Sequence, residues 1–433
     1  MGSKIYTDVD VYQAALQRLE VVFNDFDKVC VAFSGGKDSG VLLNLCLDYM
    51  RKHGISRKLG VLIVDLEGQY SLTMEYVARM LDDNKDLIEP FWVCLPLNLR
   101  NSVSVYNPFW CCWEPGMEDK WIRPMPDHES VISDQGYFPF FRYRMEFEEF
   151  APEFAKWYAG DKRLISLLGI RSDESLNRFR TIASKSKIRH KNHPWTTRQG
   201  VDNVYNGYPI YDWGTEDVWT ANSRFGWDYN RLYDMFYKAG VGIHDMRICQ
   251  PYGDDQRIGL ELFRVVEPQT WAKVVNRVSG ANFGNIYCGT KMLGYRKVSL
   301  PPGHTWKSYT RLLLRSLPPE TRDNYINRFV KFIRYWHRKG SGVSDDDLAL
   351  LPDEAEITDQ LSARGAKNKR IVRYRRIPDS LDNELEAKRA APTWRRMAAC
   401  ILKNDYLCQG LSFSQTKDQF ERIKFLKEKY RNI

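Results

Sequence analysis

The residues of this 433-residue chain best suited to chemistry are the serines, glycines, lysine and aspartate of SGGKDS, at residues 34–39. Gly35 and Gly36 let a backbone approach a ligand where a Cβ atom would clash. Lys37 adds a positive charge that suits a phosphate group. Asp38 introduces a carboxylate beside that lysine, which favours a Mg²⁺ ion bridging protein and phosphate. These residue types therefore predict a site for a phosphorylated ligand, with Asp38 as the metal ligand.

The flanking segments predict the elements that would position this loop. The apolar run Val29–Phe33 is typical of a buried strand, and apolar positions from Val41 to Cys46 predict a helix after the loop. The N–H groups of a first helical turn have no partner within the helix, and the helix dipole favours negative charge there. Strand, glycine turn and helix start together predict a cradle for an anion.

SGGKDS after an apolar strand resembles the PP-loop of the ATP pyrophosphatase and PAPS reductase superfamily, and it differs from the Walker A pattern G-x-x-x-x-G-K-[ST]. The resemblance implies an α/β fold with a doubly wound, mainly parallel sheet like that of the adenine nucleotide α-hydrolases. It also implies that ATP or PAPS binds with Mg²⁺. The nucleotide-binding residues that it implies around the loop are Ala32, Phe33, Ser34, Gly35, Gly36, Lys37, Asp38 and Ser39.

A second predicted strand, Leu59–Val64, ends at Asp65. Ligands of open α/β sheets bind at the carboxyl ends of the strands, and the resembled family has a short acidic or polar segment at this point. Asp65 is therefore a further candidate for the nucleotide site. The alternative is that Asp65 caps a helix predicted over Ser71–Leu81. A third strand is predicted over Phe91–Leu95.

The second motif, GIRSDES at residues 169–175, follows a predicted strand over Leu164–Ile170. It resembles the G-x-R-x-D-E-S segment of ATP sulfurylase small subunits and DNA phosphorothioation sulfurtransferases. Arginine side chains are fork-shaped donors for phosphate or sulfate oxygens, and a glutamate could orient an arginine or a metal. The alternative is a strand end followed by an ion-paired helix. The site residues that this motif implies are Gly169, Arg171, Glu174 and Arg178.

Residues 178–198 contain seven lysines and arginines but no acid. This stretch could close over phosphates, guide a nucleic acid or form a solvated basic loop. The following segment, PIYDWGTEDVW at residues 209–219, resembles a pattern of PAPS reductases and sulfurylase subunits. We interpret it as mainly structural, with Thr215 as a helix N-cap.

Nine cysteines are scattered along the chain, and none forms a C-x-x-C pair. The odd number favours thiols over a disulfide framework. Cys111 and Cys112 lie within a proline- and aromatic-rich stretch, residues 107–126, where prolines exclude a regular helix. Some relatives that reduce adenylyl sulfate hold an iron–sulfur cluster through such a pair, and Cys249 and Cys288 could supply further ligands. Buried, inert thiols are the alternative.

Residues 243–433 are predicted to form a mostly helical C-terminal domain after a nucleotide-binding domain at residues 1–242. Helical patterns cover residues 258–278, 306–317, 325–337 and 418–430. The dense basic strip KNKRIVRYRR, residues 367–376, suits a nucleic acid, an edge strand or a solvated helix face. This part of the chain resembles the uncharacterised domain of immunoglobulin-binding-regulator A-type bacterial proteins. That resemblance implies a genetic neighbour with a ParB-like domain, which is a candidate partner.

The bulk properties are typical of a folded, basic protein. The net charge of +9 favours a polyanionic partner, and 43% of the residues are hydrophobic. No apolar run approaches the length of a membrane span, and the N-terminus lacks the apolar core of a signal peptide. We therefore expect a cytoplasmic protein.

Three functions fit these motifs. In the first, ATP is cleaved between its α and β phosphates to adenylylate an acceptor, with Lys37, Asp38 and Arg171 as catalytic residues. In the second, PAPS is reduced by a thiolate, for which Cys408 is the nearest match although its neighbours differ from the reductase pattern. In the third, the nucleotide regulates a protein that acts on nucleic acid with a ParB-like partner. We rank ATP cleavage before PAPS reduction because the SGGKDS loop is complete, including Lys37 and Asp38, which points to pyrophosphate release, whereas the reductase pattern around Cys408 is incomplete.

Overall fold

The computed structural model describes residues 8–104, 107–174, 176–183, 187–248, 250–253, 259–278, 281, 300–361, 369–403 and 405–411. The chain divides into two compact units. The first comprises Met1–Leu99, Phe109–Pro251 and Gly259–Val278, and the second comprises Arg100–Pro108, Tyr252–Ile258 and Ser279–Ile433. The division into domains at residues 1–242 and 243–433 stays a prediction.

The first unit is built on a seven-stranded sheet with the order β6-β3-β2-β1-β7-β9-β8. All neighbouring strands are parallel except β8 and β9. The chain winds outwards from β1 on one side and then returns to build the other side from β7. The predicted doubly wound, mainly parallel α/β sheet is therefore confirmed. The strands are β1 (Lys28–Ala32), β2 (Leu59–Val64), β3 (Ile88–Val93), β6 (Val131–Ile132), β7 (Leu164–Leu167), β8 (Thr196–Arg198) and β9 (Val204–Gly207), and a separate pair is formed by β4 (Asn98–Arg100) and β5 (Phe109–Cys111).

Nine helices accompany this sheet among the described residues of the first unit. They are α1 (Val11–Asp25), α2 (Lys37–His53), α3 (Ser71–Asp82), α4 (Phe147–Ala159), α5 (Leu176–Ala183), α6 (Thr215–Phe225), α7 (Leu232–Lys238), α8 (Gly259–Val266) and α9 (Pro268–Arg277). The central strands are continuous apolar runs because helices cover both faces of a parallel sheet. Val31, Leu42 and Ile165 are accordingly inaccessible to solvent.

Aspartates satisfy N–H groups at the starts of two helices, and one of these starts differs from the sequence prediction. The N-cap of α1 is Asp10, which accepts a hydrogen bond from the N–H of Gln13 at 2.7 Å. Gly214 is the N-cap of α6, so Thr215 is the first helical residue, and the Asp217 carboxylate accepts from the Gly214 N–H at 2.7 Å. A carboxylate three residues into a helix can bond back to the cap, which no simple cap pattern reveals.

Asp65 does not cap α3, because the N-cap position is Tyr70. The Ser71 N–H instead donates to a carboxylate distant in sequence, Glu267, at 2.6 Å. The Tyr70 ring stacks on Phe263 with 3.8 Å between ring centroids. Helices α8 and α9 thus cover the start of α3 within the first unit.

A buried carboxylate, Glu67, holds the aromatic stretch, residues 107–126, at the carboxyl end of β2. The Glu67 carboxylate accepts from the N–H groups of Trp113 at 2.8 Å and Ile122 at 3.1 Å, and it pairs with Arg277 at 2.6 Å. Arg277 also donates to the Cys111 carbonyl at 2.7 Å. These bonds join β2, the aromatic stretch and α9.

The second unit combines helices with a three-stranded antiparallel sheet of order β10-β12-β11. Its strands are β10 (Ser341–Ser344), β11 (Ala355–Leu361) and β12 (Lys369–Tyr374), and its helices are Trp306–Ser316, Pro319–Arg338, Asp345–Leu348, Glu384–Ala387 and Trp394–Leu402. The predicted helical character is confirmed, but the sheet was not predicted. The described part of the basic strip 367–376 contains the central strand, so it is neither an edge strand nor a helix face. The predicted helix over residues 418–430 lies outside the described residues.

The core of the second unit lies between its longest helix and this sheet. One stripe of helix Pro319–Arg338 buries Tyr325, Phe329, Phe332 and Trp336, and the sheet contributes Val372 and Tyr374, among others. Within the described ranges, none of the helices of either unit is long and apolar enough to cross a membrane.

We expect Glu67→Gln to lower the free energy of unfolding by about 3 kcal/mol, because it removes the negative charge opposite the buried Arg277 guanidinium. Urea unfolding followed by circular dichroism measures this change. Glu75→Gln is the matched control, since Glu75 is an exposed residue of α3, and we expect a change within about 0.5 kcal/mol. Equal effects of the two substitutions would contradict the structural role of Glu67.

Candidate functional site

The SGGKDS loop, residues 34–39, lies where the winding of the sheet reverses. Strand β1 pairs with β2 on one side and with β7 on the other. The loops that leave the carboxyl ends of β1 and β7 therefore diverge, and open α/β sheets bind ligands in the crevice between such loops. Both sequence motifs lie at this point, since Ser34 follows β1 and Gly169 follows β7.

Internal hydrogen bonds hold the loop in a compact turn. The Ser34 and Ser39 hydroxyls are 3.1 Å apart, and the Ser34 N–H donates to the Ser39 hydroxyl at 3.3 Å. Gly35 has a φ of 70°, a left-handed conformation that favours glycine. Its carbonyl accepts from the Asn230 side-chain amide at 2.9 Å, and the same amide donates to the Thr73 hydroxyl at 2.9 Å.

Helix α2 begins directly at this turn. Its N-cap is Gly36, which offers no side-chain cap to the first N–H groups. The Lys37 N–H donates to the Tyr233 hydroxyl at 2.9 Å. Asp38 is an acid in the first turn of α2, where the positive end of the helix dipole favours negative charge.

Two buried cations share the Asp38 carboxylate. Lys37 is 7% exposed and Arg171 is 2% exposed. The Lys37 ammonium lies 3.3 Å from one Asp38 oxygen, and the Arg171 Nε lies 2.6 Å from the other. Arg171 also pairs with Asp173 at 2.7 Å. The Lys37 ammonium completes its contacts by donating to the Met246 carbonyl at 3.3 Å.

Close backbone contact brings the two motifs together at Gly169. A Cβ atom at this position would lie 2.9 Å from both the carbonyl carbon of Asp38 and the nitrogen of Ser39. Those neighbours are backbone atoms, which cannot swing aside as a flexible side chain can. Because Gly169 has no Cβ atom, the loop after β7 can lie against the backbone of the first turn of α2.

Glu174 and Arg178 lie beside this pair of motifs. Arg178 pairs with the Glu174 carboxylate at 3.1 Å, and Arg247 donates to the Glu174 carbonyl at 3.0 Å. Burial raises the pKa of Glu174, and the nearby Asp38 acts in the same direction while Arg178 opposes it. The side chains of the cluster comprise four cations and three carboxylates, namely Lys37, Arg171, Arg178 and Arg247 with Asp38, Asp173 and Glu174. This excess of positive charge favours an anionic ligand.

The remaining predicted residues have other surroundings. Ala32 ends β1, and Phe33 is buried against Tyr76. The Asp65 carboxylate is buried and accepts from the Trp92 indole N–H at 3.0 Å and from Arg123. Asp65 thus lies at a strand end, as expected, but its oxygens bond to protein groups. Its role in nucleotide binding stays a prediction.

Asp212, which sequence analysis grouped with a mainly structural segment, pairs with Arg18 of α1 at 2.5 Å. Sequence analysis did not select Tyr233, Asn230, Met246 or Arg247, although all four contact the two motifs. These residues approach the loop from positions 60 or more residues away, so sequence spacing carried no signal for them.

The described cysteines are buried thiols. Burial raises the pKa of the Cys111 thiol to about 11, and it raises the pKa of the Cys112 thiol as well. Cys249 and Cys288 lie outside the described residues. Within the described ranges, no group of three or more histidine, cysteine, aspartate or glutamate side chains could hold a metal ion.

Comparisons with known proteins give two kinds of similarity. A family model described as a domain of unknown function (DUF3440) matches residues 240–422. The uncharacterized protein YbdN of Escherichia coli (strain K12) is 38% identical over 430 residues, which covers 97% of this chain and 96% of that protein.

Similarity to solved structures is much weaker. FMN adenylyltransferase of Candida glabrata, in complex with FAD and inorganic pyrophosphate, has 13% identity and a TM-score of 0.32 over 53% of this chain. This chain covers 64% of that enzyme, which is less than two thirds of its length. PAPS reductase of Candida auris, in a phosphate complex, has 13% identity and a TM-score of 0.30 over 54% of this chain and 94% of the reductase. Similarity at this level does not identify an activity.

We expect Gly169→Ala to destabilise the first unit by about 1–3 kcal/mol, because the added methyl group meets backbone atoms of the α2 start. Urea unfolding measures this loss. Gly200→Ala is the matched control, since a Cβ atom there meets nothing within 4 Å. If both substitutions have the same small effect, the two motifs are not in close contact.

We expect the Cys111 and Cys112 thiols to resist alkylation in the folded protein. At about pH 8, a thiol with its pKa near 11 is only about one part in a thousand thiolate, and thiolate is the reactive form. Iodoacetamide labelling with peptide mass spectrometry, with and without urea, measures the difference. Rapid labelling of either cysteine without urea would contradict their burial.

Proposed function

This chain belongs to the same family as the uncharacterized protein YbdN of Escherichia coli, and we propose that it is a PP-loop enzyme that binds ATP at residues 34–39. In the proposed reaction, an oxygen nucleophile of an acceptor attacks the α-phosphorus. The bond between the α and β phosphates breaks, pyrophosphate leaves and the acceptor is adenylylated. The observation that carries this proposal is the pair of buried cations, Lys37 and Arg171, at the start of α2 where the sheet reverses.

The loop supplies the groups that a leaving pyrophosphate needs. The Ser34 and Ser39 hydroxyls and the backbone of the turn are hydrogen-bond donors, and Lys37 is a point charge beside them. Such chemistry asks the protein chiefly to position phosphates and to stabilise the charge that develops on them. The net positive charge of the cluster suits this task better than it suits a neutral ligand.

Arg171 is the proposed donor to the α-phosphate. Its guanidinium is held by Asp38 at 2.6 Å and Asp173 at 2.7 Å, so its orientation is set before any ligand binds. A preorganised donor stabilises a transition state without a reorganisation cost. Glu174 and Arg178 lie at the rim of the same cluster as further nucleotide-binding candidates.

Asp38 is the proposed magnesium ligand. Mg²⁺ commonly takes one or two carboxylates together with phosphate oxygens and water, so a single carboxylate beside the phosphate cradle fits its preferences. Both Asp38 oxygens pair with cations, at 3.3 Å from Lys37 and 2.6 Å from Arg171. Bound phosphates would draw the Lys37 ammonium, the more distant of the two cations, away and release one oxygen, while Arg171 keeps its contacts with Asp38 and Asp173. When bound, the ion would neutralise charge on the phosphates.

PAPS reduction is the second candidate, and the favourable observation for it is the same anion site. It requires an accessible thiolate, however, and Cys408 is completely buried. A nucleotide-responsive regulator with a ParB-like partner, as in immunoglobulin-binding-regulator A-type proteins, is a third candidate. The three candidates differ in the substrate that they turn over and in the products that they release. Product analysis with ATP and with PAPS therefore separates them.

The test incubates the protein with ATP and Mg²⁺, with and without DNA or tRNA as acceptor, and identifies the products. We expect AMP and pyrophosphate, or an adenylylated acceptor. ADP and phosphate would exclude the proposed cleavage. Tight ATP binding without turnover would favour the regulator, and sulfite release from PAPS with thioredoxin, abolished by Cys408→Ser, would establish the reductase.

We expect Lys37→Ala to weaken ATP binding by about tenfold or more, since it removes a charge-assisted hydrogen-bond donor from the cradle. Isothermal titration calorimetry measures the dissociation constant. Lys52→Ala is the matched control, because Lys52 is an exposed lysine in the last turn of the same helix. Unchanged binding by Lys37→Ala and Asp38→Ala would show that the nucleotide site lies elsewhere.

A further inference from the structure

The longest helix of the second unit, Pro319–Arg338, carries a row of cations on its outer face. Tyr325, Phe329, Phe332 and Trp336 face the core of the unit. Asn327, Lys331, Arg334 and Arg338 are exposed, and their spacing of four, three and four residues puts them on the opposite face. We call these four residues the basic stripe.

The charge around the basic stripe is strongly one-sided. Residues 300–344 contain nine lysines and arginines but only two acids, Glu320 and Asp323. Both acids lie near the N-terminal end of the long helix. The neighbouring helix, Trp306–Ser316, adds the exposed cations Arg311 and Arg315 and contains no acid.

The cations of the stripe have no side-chain partners in the part of the chain that the structure describes. Among the described residues, Lys331, Arg334 and Arg338 form no ion pair and no hydrogen bond through their side chains. Other cations of the same unit do pair, for example Lys388 with Asp347 at 2.9 Å and Arg395 with Glu386 at 2.7 Å. A merely solvated helix face usually alternates its charges along the helix. The basic stripe does not.

We propose that the basic stripe is an interface for double-stranded DNA. The helix has 20 residues and spans about 30 Å, and the major groove of B-DNA is wide enough to admit a helix. Lysine and arginine neutralise phosphates, while asparagine and arginine are the side chains that most often read adenine and guanine edges. The stripe combines these three residue types on one face.

Two other polyanions fit less well. Single strands are bound on several aromatic side chains that stack with bases, but the stripe itself contains none, and Tyr335 is the one exposed Phe, Tyr or Trp residue of this helix. The major groove of an RNA duplex is too narrow and deep for a helix. An anionic membrane would need the apolar face of an amphipathic helix, and that face lies in the core of the unit.

The test measures binding of the full-length chain to a labelled DNA duplex of about 20 base pairs by fluorescence anisotropy, between about 50 and 200 mM salt. We expect the variant Lys331→Ala/Arg334→Ala/Arg338→Ala to bind at least about tenfold more weakly. The plot of log affinity against log salt should become less steep by about 2.7, since each lost phosphate contact removes about 0.9 from the magnitude of the slope. Arg334→Glu alone is a second variant, for which we expect a loss in the same direction.

The matched control is Lys52→Ala/Lys162→Ala/Lys238→Ala, which removes the same charge from exposed positions of the first unit. We expect it to change affinity by less than about twofold. Thermal unfolding monitored by circular dichroism checks that each variant is folded.

Three results would overturn the proposal. They are no binding of duplex DNA by the unaltered chain, equal losses in the stripe and control variants, and binding of single-stranded DNA, RNA or vesicles of phosphatidylcholine and phosphatidylglycerol in preference to the duplex. None of these results depends on ATP cleavage. The DNA interface and the proposed adenylylation can therefore fail separately.

Discussion

The sharing of one carboxylate by two buried cations is the interaction on which the candidate site depends. Lys37 and Arg171 have lost most of their water, and Asp38 compensates both of them. A buried charge without a partner is strongly destabilising, so the loops after β1 and β7 must stay together for either cation to remain buried. The Met246 carbonyl and Asp173 complete the compensation. The same contacts that stabilise the protein thus hold the groups proposed to bind phosphate in position.

The end of the neighbouring strand, β2, also has buried carboxylates paired with arginines, but its charges are balanced differently. At the end of β2, the carboxylates of Asp65 and Glu67 are matched by Arg123 and Arg277, and backbone and indole N–H groups satisfy the remaining oxygens. The charges there are balanced, and the carboxylate oxygens have their partners within the protein. At the ends of β1 and β7 the cations outnumber the carboxylates. This difference is the physical reason for proposing the β1/β7 crevice, rather than the end of β2, as the anion site.

In the second unit, the two faces of helix Pro319–Arg338 have different surroundings. The face that carries Tyr325 and Phe329 packs into the core of the unit. The basic stripe on the opposite face remains in solvent. Burial of the aromatic face provides the stability, so the outer face is free to concentrate charge. That concentration destabilises a protein through self-repulsion, and a polyanion relieves it. The positive net charge noted in the sequence is therefore concentrated locally as well as present overall.

The sequence by itself determined the β1–loop–α2 unit, because the apolar run, the glycine turn and the helix start are local signals that need no distant partner. It also determined the strand before Gly169 and the helical character of the C-terminal part. Only the tertiary structure decided that Asp38 sits between Lys37 and Arg171, that Tyr233 and Met246 contact the loop, and that Glu267 rather than Asp65 meets the start of α3. It also put β12 at the centre of a sheet. These outcomes depend on which buried charges and strand edges find partners far along the chain, and spacing in a single sequence carries no record of such pairings.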